Sequence, residues 1–151
     1  MPEQGSGNDR SVELSLESTL DSVDTAETAT LEVAGELGFE EEDLHKIGMA
    51  VRECMVNAVV HGNRYNARKK VYFLVSRNSE SMSIVIRDEG EGFDLTSLPD
   101  PLAEENLLRQ SGRGLLLIQA FMDDLQIHRI EPRGTEVKMK KFLAKAGEGR
   151  D

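Results

Sequence analysis

Hydrophobic and polar positions follow regular periods along the chain, and each period predicts one element of secondary structure. Residues 12–16 alternate apolar and polar side chains, which is the pattern of a half-buried strand. Residues 22–37 have apolar positions at nearly helical spacing, and Gly38 follows at the place where glycine commonly ends a helix. The acidic run at residues 40–43 then opens a second helix, because negative charge suits the positive end of a helix dipole.

The second half of the chain is dominated by short β-rich runs. The runs at residues 71–75 and 82–86 are joined by a short polar segment, which is a hairpin signal. After a segment rich in glycine and proline, one short apolar helix and two further strands are predicted, at residues 115–122, 125–130 and 135–142. Strands joined by tight turns favour a mixed, mostly antiparallel sheet with helices on one face. We therefore predict an α+β fold built as a two-layer α/β sandwich.

Composition limits the number of domains and the kinds of partner. A chain of 151 residues, 38% hydrophobic and 30% charged, suits one globular domain, which we place at residues 11–143 between flexible segments at 1–10 and 144–151. The net charge of −10 and the lack of a long basic run argue against nucleic-acid binding and favour a basic protein partner. One cysteine, no apolar run of about 20 residues and no signal-peptide pattern predict a cytoplasmic protein without a membrane segment.

The segment ECMVNAVVHGN at residues 53–63 places three polar side chains on an otherwise apolar helix. At about 100° per residue, Glu53, Asn57 and His61 fall into one stripe, and the other apolar positions of the helix cluster on the opposite side. Burying an unpaired carboxylate costs several kcal/mol, and burying an unsatisfied amide costs about 1–3 kcal/mol. One such residue usually lies at a solvent-exposed rim. Three in line predict that something polar faces them.

Two glycine-rich segments add the features of a nucleotide site. DEGEGFD at residues 88–94 follows a predicted strand, and SGRGL at residues 111–115 precedes a predicted helix. Either glycine pair alone usually marks only a turn. Glycines before a helix start, however, let backbone N–H groups approach a phosphate closely, and Arg109 and Arg113 can add charge-assisted contacts.

Two side chains can contact the other parts of a nucleotide. Asp88, at the mouth of a strand, is suited to accept a hydrogen bond from an exocyclic amine such as that of adenine. Asn57 can offer its amide oxygen to Mg²⁺, a hard cation that usually takes its other ligands from phosphates and water. These groups and the glycines together are consistent with a site for ATP and Mg²⁺.

The same residues resemble the sequence boxes of the GHKL superfamily, which includes gyrase, Hsp90-type chaperones, histidine kinases and MutL-type ATPases. Residues 53–58 resemble the N-box, residues 88–92 and 112–114 the two glycine boxes, and residues 134–135 the closing Gly-Thr. The four boxes occur in the right order over nearly the whole chain. The resemblance implies the Bergerat-type ATP-binding fold.

Within the superfamily, the segments NAVVHG and LLLIQAFMDD resemble the bacterial anti-sigma factor serine-protein kinases. Histidine kinases tend to carry Lys and an aromatic residue where this chain has Val60 and His61. The chain length also leaves no space for the phosphoacceptor domain of a histidine kinase or the second domain of a gyrase. The resemblance implies a homodimer that sequesters a sigma factor and phosphorylates a serine of a STAS-type anti-anti-sigma antagonist.

Carried over position by position, the resemblance implies a role for each site residue. Glu53 is the general base that acts on the attacking hydroxyl, and Asn57 holds Mg²⁺. Asp88 binds the adenine amine with help from Thr135, and residues from about 95 to 111 form a lid over ATP. The remaining ATP-binding positions are Gly90, Gly92, Arg109, Ser111, Gly112, Arg113, Gly114 and Leu115.

One position departs from the pattern of the kinase members. They carry Arg just before the Ser-Gly of the second glycine box, where this chain has Gln110 between Arg109 and Arg113. Either neighbouring arginine substitutes for it, or the protein is an anti-sigma-like module that binds ATP with little or no kinase activity; a stand-alone ATPase is a third possibility. His61 is as compatible with a structural role as with a site contact. The sequence does not identify the sigma factor, the antagonist or the signal that controls them.

Overall fold

The computed structural model describes residues 9–90 and 112–143, which form a five-stranded sheet with three α-helices packed on one face. This arrangement confirms the predicted two-layer α/β sandwich and the predicted order of elements. The lid expected at about residues 95–111 lies outside the described residues, as do both predicted flexible ends except Asp9 and Arg10. The elements are β1 (Arg10–Glu17), α1 (Asp21–Leu37), α2 (Glu41–Val56), β2 (Lys70–Arg77), β3 (Ser81–Asp88), α3 (Gly112–Phe121), β4 (Asp124–Arg129) and β5 (Thr135–Phe142).

The strands lie in the order β1-β2-β3-β5-β4, and each neighbouring pair in the described sheet is antiparallel. The sequence predicted a mixed, mostly antiparallel sheet, and the described strands form a fully antiparallel one. β5 turns back from β4 and inserts beside β3. As a result Thr135, the first residue of β5, is the register partner of Asp88, the last residue of β3. Two residues distant in the sequence are thus neighbours at the ends of two interior strands.

The core lies between the sheet and the helices. Alternate residues of the two central hairpin strands face it, as their period of two predicts: Val71, Phe73, Val75, Met82, Ile84 and Ile86 are all at most 1% exposed. Complete burial of a side chain of this kind contributes about 1.5–3 kcal/mol relative to exposure. On the opposite face of the sheet, Leu74 and Val85 are only half-buried.

The end of α1 and the start of α2 lie where the sequence predicts them. Gly38 follows α1 with a left-handed φ of 100°, and its N–H donates to the carbonyl oxygen of Ala34 at 3.3 Å. The acidic run predicted to open α2 occupies its first turn. Ile47, Val51 and Met55 of α2 are fully buried, at the helical spacing that the sequence shows.

The end of α2 differs from the prediction of a regular helix. The six residues that follow α2, Asn57–Gly62, form a π-helical segment, and the N–H of Asn63 donates to the carbonyl oxygen of Ala58 at 2.8 Å. This turn is wider than an α-helical turn, so residues after Asn57 do not follow the 100° progression. Of the three polar residues expected in one stripe, Glu53 and Asn57 are half-buried, whereas His61 is exposed.

Candidate functional site

A cavity of about 490 Å³ lies between the end of α2 and the sheet. This volume lies within the range of roughly 300–1,000 Å³ typical of small-molecule sites. Apolar side chains from three strands and from α3 form part of its lining: Ile86, Ile118, Ile127 and Val137. The polar groups that line it are few and come mainly from the helix end and from the tip of β3. Such a lining is typical of a ligand site in which a few polar groups fix the orientation of the ligand.

Asp88 is the acidic group of this cavity. It is 9% exposed, and its Oδ1 accepts a hydrogen bond from the N–H of Gly90 at 3.0 Å. Burial raises the pKa of Asp88, while the backbone N–H groups of Gly90 and Thr135 oppose that shift. An ionised carboxylate at this position gains from a further hydrogen-bond donor, which the exocyclic amine of adenine can supply.

The end of the π-helical segment packs directly against the tip of β3. A Cβ at Gly62 would overlap the Asp88 carboxylate, and a Cβ at Gly90 would overlap the carbonyl oxygen of Gly62. Only glycine therefore permits this close approach of the two backbones. The glycine of the first glycine box thus serves the packing that places Asp88 at the cavity.

Glu53 and Asn57 face the site from α2 and its π-helical continuation. Asn57 lines the cavity, whereas Glu53 lies against α3, where a Cβ at Gly114 would overlap its carboxylate. Among the described residues, neither side chain has a hydrogen-bond or ion-pair partner, although both are half-buried. Polar groups that are partly withdrawn from water without a protein partner are available to a ligand.

A magnesium ion at this site would depend on Asn57. Within residues 9–90 and 112–143 there is no cluster of three His, Cys, Asp or Glu side chains that could hold a metal alone. The unpartnered amide of Asn57 nevertheless fits Mg²⁺, because this ion keeps several waters and takes oxygen ligands from substrate phosphates. The donor set therefore suits a metal that arrives with a nucleotide rather than one resident in the protein.

The structure brings several of the predicted site residues together. Asn57, Asp88 and Thr135 line the same cavity, and Glu53 lies beside Gly114. Three further predicted residues, Gly112, Arg113 and Leu115, lie in the first turn of α3. The others, Gly92, Arg109 and Ser111, lie outside the described residues, as does Gln110.

Several residues of the cavity were not among the predicted site residues. Cys54, Val60 and Arg64 line it, as does His61, whose role the sequence left open. Cys54 is 2% exposed, and burial raises the pKa of its thiol, which makes it a poor nucleophile. In the sequence, only its position next to Glu53 on α2 could have indicated that Cys54 lines the cavity. The apolar residues around it made Cys54 look like an ordinary core residue.

The comparisons with known proteins identify the family. A family model described as "Histidine kinase-like ATPase domain" matches residues 16–141. The chain belongs to this family. ATP is the ligand that membership of this ATPase family indicates, which agrees with the cavity and its acidic group.

Two proteins to which the chain is similar are named anti-sigma F factors. The chain is 35% identical over 107 residues to the anti-sigma F factor of Bacillus subtilis (strain 168), covering 70% of this chain and 73% of that protein. It is 34% identical over 105 residues to the anti-sigma F factor of Bacillus thuringiensis (strain Al Hakam), covering 68% of this chain and 72% of that protein. The resemblance of the sequence to the anti-sigma branch is thereby confirmed.

A solved structure shares the fold. The crystal structure of the RsbU and RsbW domains of Rv1364c from Mycobacterium tuberculosis matches 88% of this chain with a TM-score of 0.64 and 17% sequence identity. The match spans 32% of that longer chain, so it concerns one part of it. No helix within the described ranges has the length and apolar character required to cross a membrane.

Proposed function

We propose that this protein is an ATP-dependent anti-sigma factor that sequesters a sigma factor and phosphorylates a serine of a STAS-type anti-anti-sigma antagonist. The observation that supports it best is the meeting of Asn57, Asp88 and Thr135 in one cavity, in a chain 35% identical to an anti-sigma F factor. The carboxylate of Glu53, which has no hydrogen-bond or ion-pair partner within residues 9–90 and 112–143, gives the site a base that a nucleotide-binding module alone would not require.

The proposed reaction transfers the γ-phosphoryl group of ATP to a serine hydroxyl. Asp88 orients the nucleotide through the adenine amine, and the first turn of α3 offers backbone N–H groups to the phosphates. Glu53 accepts the proton of the attacking hydroxyl while the new oxygen–phosphorus bond forms, and the bond from the γ-phosphorus to the bridging oxygen of ADP breaks. When bound, Mg²⁺ would neutralise phosphate charge, with Asn57 as its protein ligand.

The charge of the chain supports the choice of partner. With a net charge of −10, the surface is complementary to a basic segment of a sigma factor, and such complementarity favours specific and rapid association. We also propose that the protein is a cytoplasmic homodimer that binds neither nucleic acid nor membrane. Light scattering on the purified chain tests the homodimer directly, because a monomer and a dimer differ twofold in mass.

The experiment that tests the kinase function is a phosphoryl-transfer assay. The purified protein is incubated with γ-labelled ATP, Mg²⁺ and the STAS-domain protein encoded nearest to its gene. We expect label on one serine of that protein and none when this serine is replaced by alanine. In a parallel binding assay, the sigma factor encoded nearest to the gene of this protein should co-elute with the protein in the presence of ATP.

The same experiment separates the two alternatives. Tight ATP binding and sigma-factor binding without any labelled serine would support an anti-sigma module that lacks kinase activity, the possibility that Gln110 raises. Steady hydrolysis of ATP that no candidate partner changes would instead indicate a stand-alone ATPase. Either result contradicts the kinase proposal.

A further inference from the structure

Asn63 ends the π-helical segment, and its side chain is buried at 1% exposure. Its Nδ2 donates to Oγ of Ser18 at 2.9 Å and to the carbonyl oxygen of Lys70 at 3.1 Å. Its Oδ1 accepts a hydrogen bond from the backbone N–H of Glu89 at 2.7 Å. A carbonyl oxygen can only accept and an N–H can only donate, so these partners determine which end of the amide faces which segment.

The hydrogen bonds of Asn63 join three segments that are distant in the sequence. These are the loop after β1, the start of β2 and the residue that follows β3. Two more bonds reinforce the junction: Ser18 Oγ donates to the carbonyl oxygen of Lys69 at 2.5 Å, and the N–H of Lys70 donates to the Glu89 carboxylate at 2.8 Å. Removing one member leaves buried polar groups without partners, which is costly. These hydrogen bonds therefore fix the three segments in one relative position.

This junction lies next to the acidic group of the cavity. The backbone N–H of Glu89 donates to Oδ1 of Asn63, and Glu89 lies between Asp88 and Gly90 in the sequence. The N–H of Gly90 in turn donates to Asp88 Oδ1 at 3.0 Å. The Asp88 carboxylate also packs against Gly62, the residue before Asn63. Asn63 itself does not line the cavity. Its side chain can therefore act on a ligand only indirectly, and the hydrogen bond to the Glu89 N–H is its direct link to the segment that carries Asp88.

We propose that Asn63 is a positioning residue: by holding the backbone of Glu89, it sets the orientation of the Asp88 carboxylate and thereby the preference of the site for adenine over guanine nucleotides. This inference rests on the proposed nucleotide site. Adenine presents an exocyclic amine as a donor, whereas guanine carries a carbonyl oxygen at the corresponding ring position, which a carboxylate repels. A displaced Asp88 loses the favourable contact with ATP and relieves the repulsion of GTP.

The test measures the ratio of the dissociation constants of GTP and ATP in the wild-type protein and two variants. Asn63→Ala removes all three hydrogen bonds of the side chain, and we expect the ratio to fall about tenfold. Asn63→Asp keeps an acceptor for the Glu89 N–H but loses both donors, and we expect it to retain the wild-type ratio within about twofold. Asn63→Ser, which preserves a polar side chain too short to reach Glu89, replaces Asn63→Ala if the alanine variant does not fold.

A matched control separates positioning from general stability. Val33→Ala truncates a fully buried residue of α1, so it lowers the melting temperature without touching the junction, and its ratio should equal that of the wild type. An unchanged ratio in Asn63→Ala, or an equal fall in Asn63→Ala and Asn63→Asp, overturns the role of the Glu89 contact. A wild-type protein that binds ATP and GTP equally would instead contradict the proposed adenine site itself.

Discussion

The carboxylate of Glu53 lies so close to Gly114 that any side chain at the glycine would overlap it. Glu53 belongs to α2 and Gly114 to the first turn of α3, which begins within the second glycine-rich segment instead of after it as the sequence predicted. The contact places the proposed general base beside the backbone N–H groups at a helix start, where a phosphate is bound favourably. The proposed base and the proposed phosphate site are thus held together by one tight contact between two helices.

Replacing Gly114 with alanine should therefore impair transfer more than binding. The added methyl group displaces either Glu53 or the start of α3, and a displacement of about 1 Å in an active site can cost about 10²-fold in rate. The labelled-ATP assay measures this effect. Gly35→Ala is the matched control, because a Cβ at Gly35 of α1 meets no atom within 4 Å, and transfer should be unchanged. Full activity of Gly114→Ala would show that this contact does not constrain the base.

Replacing Glu53 with alanine should separate catalysis from binding. Loss of a general base reduces the transfer rate by about 10²- to 10⁴-fold, whereas the contacts of the nucleotide with Asp88 remain. Isothermal titration should therefore give nearly the wild-type affinity for ATP. Glu41→Ala, at the exposed start of the same helix, serves as the control and should transfer phosphate normally. A large loss of ATP affinity in Glu53→Ala would assign that residue to binding instead.

Replacing Asn57 with alanine should abolish nucleotide binding that depends on Mg²⁺. The amide of Asn57 is the protein group proposed to hold the ion, and the described residues offer no cluster of acidic or histidine ligands to replace it. ATP titrations with Mg²⁺ and with EDTA should differ strongly for the wild type and little for the variant. If Glu53→Ala and Asn57→Ala behave identically in binding and turnover, the separate roles proposed for the two residues are wrong.

Asp88 should make stability depend on pH in a direction opposite to that of most acidic residues. Burial raises the pKa of Asp88 in the folded protein, so the protonated form is favoured by folding. Its contribution to the unfolding free energy is present below the ordinary pKa of an aspartate, about 3.9, and is lost as pH rises through the raised pKa. Urea denaturation at several pH values should show the wild type losing stability relative to Asp88→Asn over this window.

The Asp88→Asn variant should at the same time bind ATP less tightly at neutral pH. A hydrogen bond to a charged group contributes about 1.5–3 kcal/mol, so the loss of the charge corresponds to roughly 10- to 100-fold in affinity. A stability difference independent of pH would show that Asp88 titrates normally, and unchanged ATP affinity would remove it from the site.

The order of the elements and the side of each element that is buried follow from the sequence alone. Apolar residues repeat with period two at residues 12–16 and with helical spacing along α2, and these periods depend on local backbone geometry. Gly38 ends α1 because glycine adopts a left-handed φ without strain, which is also a local property. Glu53 and Asn57 were predicted to face a polar group because a buried polar group must find a partner, and Asp88 was predicted as a site residue from its place at the mouth of a strand.

The arrangement of those residues in space was decided by the tertiary structure. Insertion of β5 between β3 and β4 sets Thr135 opposite Asp88, and the π-helical segment Asn57–Gly62 changes the residue spacing at the end of the helix. The hydrogen bonds of Asn63 and the contact of Glu53 with Gly114 likewise join residues far apart in the sequence. Such contacts are determined by sheet register and helix packing, which depend on the whole chain folding together, so no local pattern could have predicted them.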